Sequence, residues 1–379
     1  MLKKIVSFRR FNELVIKLKD KKLLSKNKTI VFAFRINDWK RKHLELVYPN
    51  LYLIFIPFKK NAWHFHLLIK MVKNPIFLVW GYNESRITRA YAVKRDIEIW
   101  RIEDGFIRSI GLGADHTLPL SLVLDRTGVL YFDARKSSGL EDILQNYDFS
   151  SDFDLMDRAL KSIKKIKKLR ISKYNLTEKA ANEAVYNQFG EIKLGQKRIL
   201  VIGQVEDDAS IIYGSPHCSS NGYLVWKARQ RNPDAQIFFR PHPDTVAGKR
   251  KVKTSLSEIE NISHVIYSSM SLASAFNSID EVYTITSLSG FEALMHGKHV
   301  VTLGNPFYAG WGLTEDLHPL DRRKRKLSVE EVFAAAYILY PNYNNPFTGE
   351  TMDLNDAISM ISLGIEHRKV RESIMGELN

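Results

Sequence analysis

Residues 198–210 read RILVIGQVEDDAS: a short run of branched apolar residues, a glycine, then three consecutive acids and a small-residue stretch. An apolar run of this length closed by Gly reads as a buried strand, and the residues after it as a turn into a helix. The same phrase recurs downstream. Gln236–Arg240, His264–Tyr267, Asp280–Ile285 and Val300–Leu303 read as strands, and Leu224–Arg231, Ser271–Asn277 and Gly290–His296 as the helices between them. Strands alternating with helices of this length imply a parallel sheet with crossover helices.

Upstream, Thr29–Phe34, Leu51–Phe58, Pro75–Trp80 and Ile97–Ile102 form an earlier strand series. Between the series lie a basic helix over Asp157–Tyr174, a helix over Leu176–Phe189 ending at Gly190, and a polar linker, Glu191–Lys197. The expected architecture is α/β: two Rossmann-like lobes with a central cleft and C-terminal helices over Ser328–Tyr340 and Leu354–Leu363. The expected boundaries are a first lobe with helical linker at 1–195, a second lobe at 196–327, and helices at 328–379 returning to the first lobe.

The chain has 379 residues, 45% hydrophobic and 26% charged, which excludes a disordered or fibrous protein. Its net charge of +14 favours anionic partners. Basic residues are spread without interleaved aromatic platforms, so nucleic acid is not expected. Cys218 is the single cysteine and cannot form an internal disulfide. No apolar run approaches a membrane span, and Glu13, Lys17 and Lys19 interrupt any signal-peptide core, so a cytoplasmic location is expected.

Ligands of open α/β sheets bind beyond the carboxyl ends of the strands. Four such places carry chemistry. Glu103-Asp104-Gly105 offers a candidate general acid or base, or a plain Asp-Gly turn. Gly203 through Ser210, with Gln204, Asp207 and Asp208, offers a carboxylate nucleophile or a helix cap. Arg240-Pro241-His242-Pro243-Asp244 holds one imidazole between two prolines beside an arginine, which suits an anion. Thr286 through Glu292 places Ser287, Ser289 and Gly290 at a helix start, as an anion site or simple capping. Asp152-Phe153-Asp154 has metal-pair spacing but follows no strand; Gly111-Leu112-Gly113 lacks a third glycine at His116; His296 and His299 read as surface. The basic runs Lys249–Lys253 and Arg322–Lys326 read as solvated faces able to touch anionic lipid.

Together these segments resemble the KpsC-type capsular polysaccharide proteins, a family of retaining β-Kdo glycosyltransferases. The resemblance rests on Arg101–Ser109, Pro119–Asp125, Ser172–Leu176, Gly203–Ser210, His242-Pro243-Asp244, Thr286–Leu294 and Pro306–Thr314. It implies a GT-B-like fold and transfer of Kdo, an acidic sugar, from CMP-β-Kdo to a phospholipid-linked Kdo acceptor. It also implies Asp208 as nucleophile, with Asp207 its close rival, and Glu103 as base. His242, Arg240, Pro243, Gln204, Ser287, Ser289 and Gly290 would hold the donor, with neither metal nor cofactor. The two carboxylates are expected to face each other across one sugar ring. Tandem relatives carry two modules; 379 residues hold one, and its Gly203–Asp208 segment resembles the second. Peripheral contact with an anionic membrane and with other capsule-assembly proteins would fit a lipid-linked acceptor. The alternatives are a transferase using another nucleotide sugar and a non-catalytic assembly or export factor that binds glycolipid.

Overall fold

The computed structural model describes residues 28–109, 117–172, 195–246, 248, 254–266 and 272–377, with side chains to 365 in the last helix. The glycine turn at 111–113, the helix expected over 176–189, the basic run 249–253 and the N-terminal stretch to residue 27 lie outside these. The chain divides into two compact units. One comprises 1–104, 118–128 and 342–352, the other 105–117, 129–341 and 353–379.

The first unit opens with β1 (Thr29–Phe34), α1 (Asp38–Val47), β2 (Leu51–Phe55) and a 3-10 turn, Ala62–Phe65. Next come α2 (His66–Lys70), β3 (Ile76–Trp80), α3 (Arg86–Lys94), β4 (Ile99–Asp104) and β5 (Ser121–Asp125). β1 pairs in parallel with β2 on one side and β3 on the other, β3 with β4, and β5 runs antiparallel beside β4. The strands are nearly continuous apolar runs because both faces are covered. Phe32, Phe34, Phe77 and Val79 pack into one core with Tyr91 of α3 and Leu68 of α2. Val31, Ala33, Leu78 and Ile102 pack into another with Leu44 of α1.

The second unit begins with α4 (Gly139–Asn146) and α5 (Phe153–Leu169), then β6 (Arg198–Ile202), α6 (Ala209–Gly214), α7 (Asn221–Arg231) and β7 (Gln236–Arg240). Three short helices, α8 (Pro243–Val246), α9 (Leu256–Glu260) and α10 (Leu272–Phe276), surround β8 (His264–Val265). β9 (Glu281–Thr284), α11 (Leu288–Met295), β10 (His299–Thr302) and β11 (Glu315–Asp316) complete an all-parallel sheet of order β11-β10-β9-β6-β7-β8. α12 (Val329–Phe333) continues as a wide π-helical segment, Ala334–Leu339, against α5 and α4. β12 (Asn342–Asn344) and β13 (Thr351–Met352) then extend the first unit's sheet to β13-β12-β5-β4-β3-β1-β2, and α13 (Leu354–Glu377) returns to α5.

Expected strands thus form, β1, β6 and β7 at the expected bounds. Two sequence expectations need correction. β4 runs two residues past Ile102, because antiparallel β5 pairs Glu103 with Val123 and Asp104 with Leu122. The second unit takes in residues 129–172 as well as the residues that follow 195. The run Arg322–Lys326 is a solvated face only in part: Arg322, Lys324 and Lys326 are exposed, but Arg323 is buried. Arg323 is 6% exposed and donates to Glu141 and to the carbonyls of Pro306 and Ala309, while Arg322 reaches Glu141 and Arg325 the Tyr147 carbonyl. Among the described residues no helix is long and apolar enough to cross a membrane.

Candidate active site

In the second unit the strand order reverses between β6 and β9, and the loops leaving their carboxyl ends stand at the kind of switch point where open α/β sheets receive ligands. Gln204, in the loop after β6, bridges this point and is 7% exposed. Its amide oxygen accepts from Thr286 N (2.8 Å), and its amide nitrogen donates to Thr286 Oγ1 (3.1 Å). Asn221 at the start of α7 fixes the Gln204 backbone from the other side, with bonds of 2.9 Å to both its N–H and its carbonyl. Gln204 was expected to touch the donor. Both polar ends of its side chain are instead engaged within the protein, where they tie the β6 loop to the β9 loop.

From Gln204 the hydrogen bonds run in one direction. Its amide donates to Thr286 Oγ1, Thr286 Oγ1 donates to Ser210 Oγ (3.3 Å), and Ser210 Oγ donates to Asp208 Oδ1 (2.7 Å). The Ser210 backbone N–H also donates to that oxygen (2.9 Å), so Asp208 is the N-cap of α6. Among the described residues Oδ2 of Asp208 accepts no hydrogen bond. The carboxylate is therefore held by one oxygen and offers the other. Asp207 is exposed; Glu206 is buried and accepts from Asn221 N and Thr254 Oγ1. The three acids thus have three different fates: Glu206 braces the fold, Asp207 faces solvent and Asp208 caps α6 in the loop after β6.

Arg240 ends β7, and its carbonyl accepts from Gly203 N (2.8 Å). His242 Nδ1 accepts from Asp244 N (3.1 Å), which places the imidazole proton on Nε2. Pro243 fixes the first turn of α8, where the His242 carbonyl accepts from Thr245 N. On the β9 side Ser287 caps α11 by accepting from Ser289 N (3.2 Å). Gly290, expected at the donor, also makes room for a neighbouring ring. A Cβ there would stand 2.2 Å from the Tyr308 hydroxyl oxygen, so the glycine admits that ring. Tyr308 in turn donates to the Ser287 carbonyl. Burial, with Asp316 and Glu292 adding to it, holds its pKa far above the usual phenol value, so the hydroxyl stays a donor.

This explains the segment Pro306–Thr314. Tyr308 and Trp311 are fully buried, Trp311 Nε1 donates to the Phe307 carbonyl, and Gly310 N donates to Asp316. The segment is a buried brace behind the β9 loop. Nothing in its local pattern signals the partner, because Ser287 lies 21 residues away.

Glu103 lies in the first unit, inside β4, and is half-buried. Its Oε1 accepts from Trp80 Nε1 (3.1 Å) and Asp104 N (3.0 Å). Oε2 lies 3.4 Å from where a Cβ on Gly81 would stand. Two residues earlier on the same face, Arg101 makes a buried bidentate pair with Glu84 (2.7 and 2.8 Å) and donates to the carbonyls of Gly81 and Gly128. That pair fixes the β3 loop against β4 and so positions Glu103; the sequence reading missed it.

The remaining signals resolve as structure. Asp152 caps α5 and accepts from the Tyr147 hydroxyl (2.6 Å). His299 is exposed, as expected of a surface residue, but it has partners: its Nδ1 lies 2.8 Å from Glu281, with Glu315 completing a trio at the amino ends of β9–β11. Lys197 and Arg231 already pair those carboxylates, so the trio is an ion-pair cluster. His296 is half-buried, and burial lowers its pKa to about 4.

Two parallel-rich α/β units, with candidate ligand loops at the carboxyl ends of the second sheet, define a class, and comparison with known proteins gives it a family. Residues 76–343 match the family described as "Capsule polysaccharide biosynthesis protein", and the chain belongs to it. Within that family it is of the KpsC type. Two solved KpsC chains from Thermosulfurimonas dismutans, a beta Kdo 2,4 transferase and a beta Kdo 2,7 transferase, are similar at 33% and 32% identity. Each match covers 88% of this chain and 98% of the solved one, with TM-scores of 0.73 and 0.68. The lipopolysaccharide-processing protein LpsZ of Rhizobium meliloti is 38% identical over 89% of this chain and 75% of its own length. The capsule polysaccharide modification protein LipA of Neisseria meningitidis is 40% identical over 77% of this chain, a match spanning only 40% of LipA.

Proposed function

We propose that this protein is a retaining β-Kdo glycosyltransferase that takes Kdo from CMP-β-Kdo and passes it to a phospholipid-linked Kdo acceptor in capsule assembly. The observation that carries the reading is the Asp208 carboxylate, anchored through Oδ1 by Ser210 and, among the described residues, without a hydrogen bond at Oδ2. Retention by double displacement requires such a nucleophile. Oδ2 attacks the anomeric carbon as the bond to CMP breaks, and CMP leaves with the electron pair. The acceptor hydroxyl then attacks the same carbon, Glu103 takes its proton, and Asp208 is released as carboxylate.

His242, with its proton on Nε2, and Arg240 supply donors for the charge on the departing phosphate or the sugar carboxylate. Pro243 holds the His242 turn, and Ser287 and Ser289 present the start of α11 to the nucleotide. Gln204 and Gly290 act through other groups, as positioning residues. The two solved Kdo transferases support the sugar transferred. They form different linkages yet are almost equally similar to this chain, so the shared chemistry is what carries over.

Asp208→Asn is the decisive variant, because Asn caps a helix as well as Asp but is no nucleophile. It should abolish transfer from CMP-β-Kdo while leaving Tm nearly unchanged. With donor alone, intact-mass analysis of the wild type should reveal a Kdo adduct on the peptide containing Asp208. Full transfer by Asp208→Asn would remove the mechanism.

A further inference from the structure

We propose that the surface formed by Phe58, Trp63, Leu67 and Met71, with the exposed Lys59, Lys60, Lys70 and Lys73 adjoining them in sequence, is a docking face for an anionic lipid bilayer. Trp63, Leu67 and Met71 follow one another at four-residue spacing through the 3-10 turn and α2, so they share one side of that helical stretch. The other side, Leu68, Ile69 and Val72, is buried in the core. The outward residues are 49%, 72% and 49% exposed, and Phe58, just upstream, is 41% exposed. α3 abuts the turn: Ala62 N donates to Thr88 Oγ1 and Tyr91 stands edge-on to Trp63. Ile87, one turn before Tyr91, is itself 51% exposed. Large apolar side chains concentrated in this way mark a contact surface.

The charge pattern names the occupant. No acidic residue occurs between Glu45 and Glu84, while Lys59, Lys60, Lys70 and Lys73 are all exposed. Glu84 itself is buried, paired with Arg101 and Arg89. An uncovered protein partner would need a matching acidic rim. A bilayer with anionic headgroups supplies negative charge above and hydrocarbon below, which fits lysines adjoining a Trp, a Leu and a Met in sequence. Tryptophan is also the side chain that settles at headgroup depth. The inference is independent of the transferase reading, since none of these residues belongs to the candidate active site.

The test is co-sedimentation of the full chain with vesicles of equal parts phosphatidylglycerol and phosphatidylcholine, against phosphatidylcholine alone. Binding should be confined to the anionic vesicles, weaken with salt, and blue-shift the tryptophan emission. Leu67→Glu, at a site so exposed that the fold should tolerate it, should weaken binding by about tenfold or more, as should Lys59→Glu with Lys60→Glu. Trp63→Phe should keep most binding and lose most of the blue shift. Phe347→Glu, at another exposed aromatic, should bind like wild type. Undiminished binding by Leu67→Glu, equal binding to neutral vesicles, or binding lost only on deletion of residues 1–27 would overturn the assignment.

Discussion

At the scale of single residues, one side chain can cap a helix and still suit a proposed chemical role. Asp208 caps α6 through one oxygen, and among the described residues the other accepts no hydrogen bond, so the cap and the proposed nucleophile are compatible readings of the same group. Glu84 is the structural counterpart. Burial would raise its pKa, but the hydrogen bonds and charge of Arg101, with help from Arg89, outweigh that and hold it below the ordinary 4.5. Its folded pKa is therefore the lower one, so its contribution to stability is complete above about pH 4.5 and drains away as pH falls below that. Glu84→Gln should cost about 3 kcal/mol at neutral pH, because it leaves Arg101 buried without its partner, and should flatten the acid limb of a denaturation profile. Cys218 is buried, and burial raises its thiol pKa to about 11. Thiol reagents should label it only at the rate of unfolding, which stopped-flow labelling in denaturant would measure.

Among elements, those with continuous apolar runs were legible and those defined by a distant partner were not. β1, β6 and β7 could be read to the residue because both faces are buried and turn residues bound them. β11, β12 and β13, two or three residues each, carry no run long enough to signal a strand and exist only through pairing. The extension of β4 through Glu103 depends on β5 in the same way. The α11 entrance teaches the same lesson: a Ser-rich helix start is visible in sequence, but the ring lying on Gly290 is not. Gly290→Ala should destabilise the second unit by about 1–3 kcal/mol through overpacking. Adding Tyr308→Phe should recover part of that loss in urea titrations, since the hydroxyl is the nearest clash and CZ, at 2.9 Å, remains.

At the scale of the whole chain, the likeness to the KpsC proteins spans both sheets. Saturating CMP should raise Tm, a hundredfold excess over Kd contributing about 2.7 kcal/mol, while UDP and GDP should leave it unchanged. Differential scanning fluorimetry with the three nucleotides separates the cytidine reading from a transferase with another donor. One property of the connectivity reaches beyond catalysis. The first sheet ends with β12 and β13, contributed by residues 342–352, although its other strands are complete by residue 125. A nascent polypeptide emerging from the ribosome must therefore carry β5 with a bare hydrogen-bonding edge while more than two hundred further residues are translated. Truncated products that stop before residue 342 should be recovered with chaperones or in inclusion bodies, and expression yield should hinge on how fast the interval between β5 and β12 is traversed.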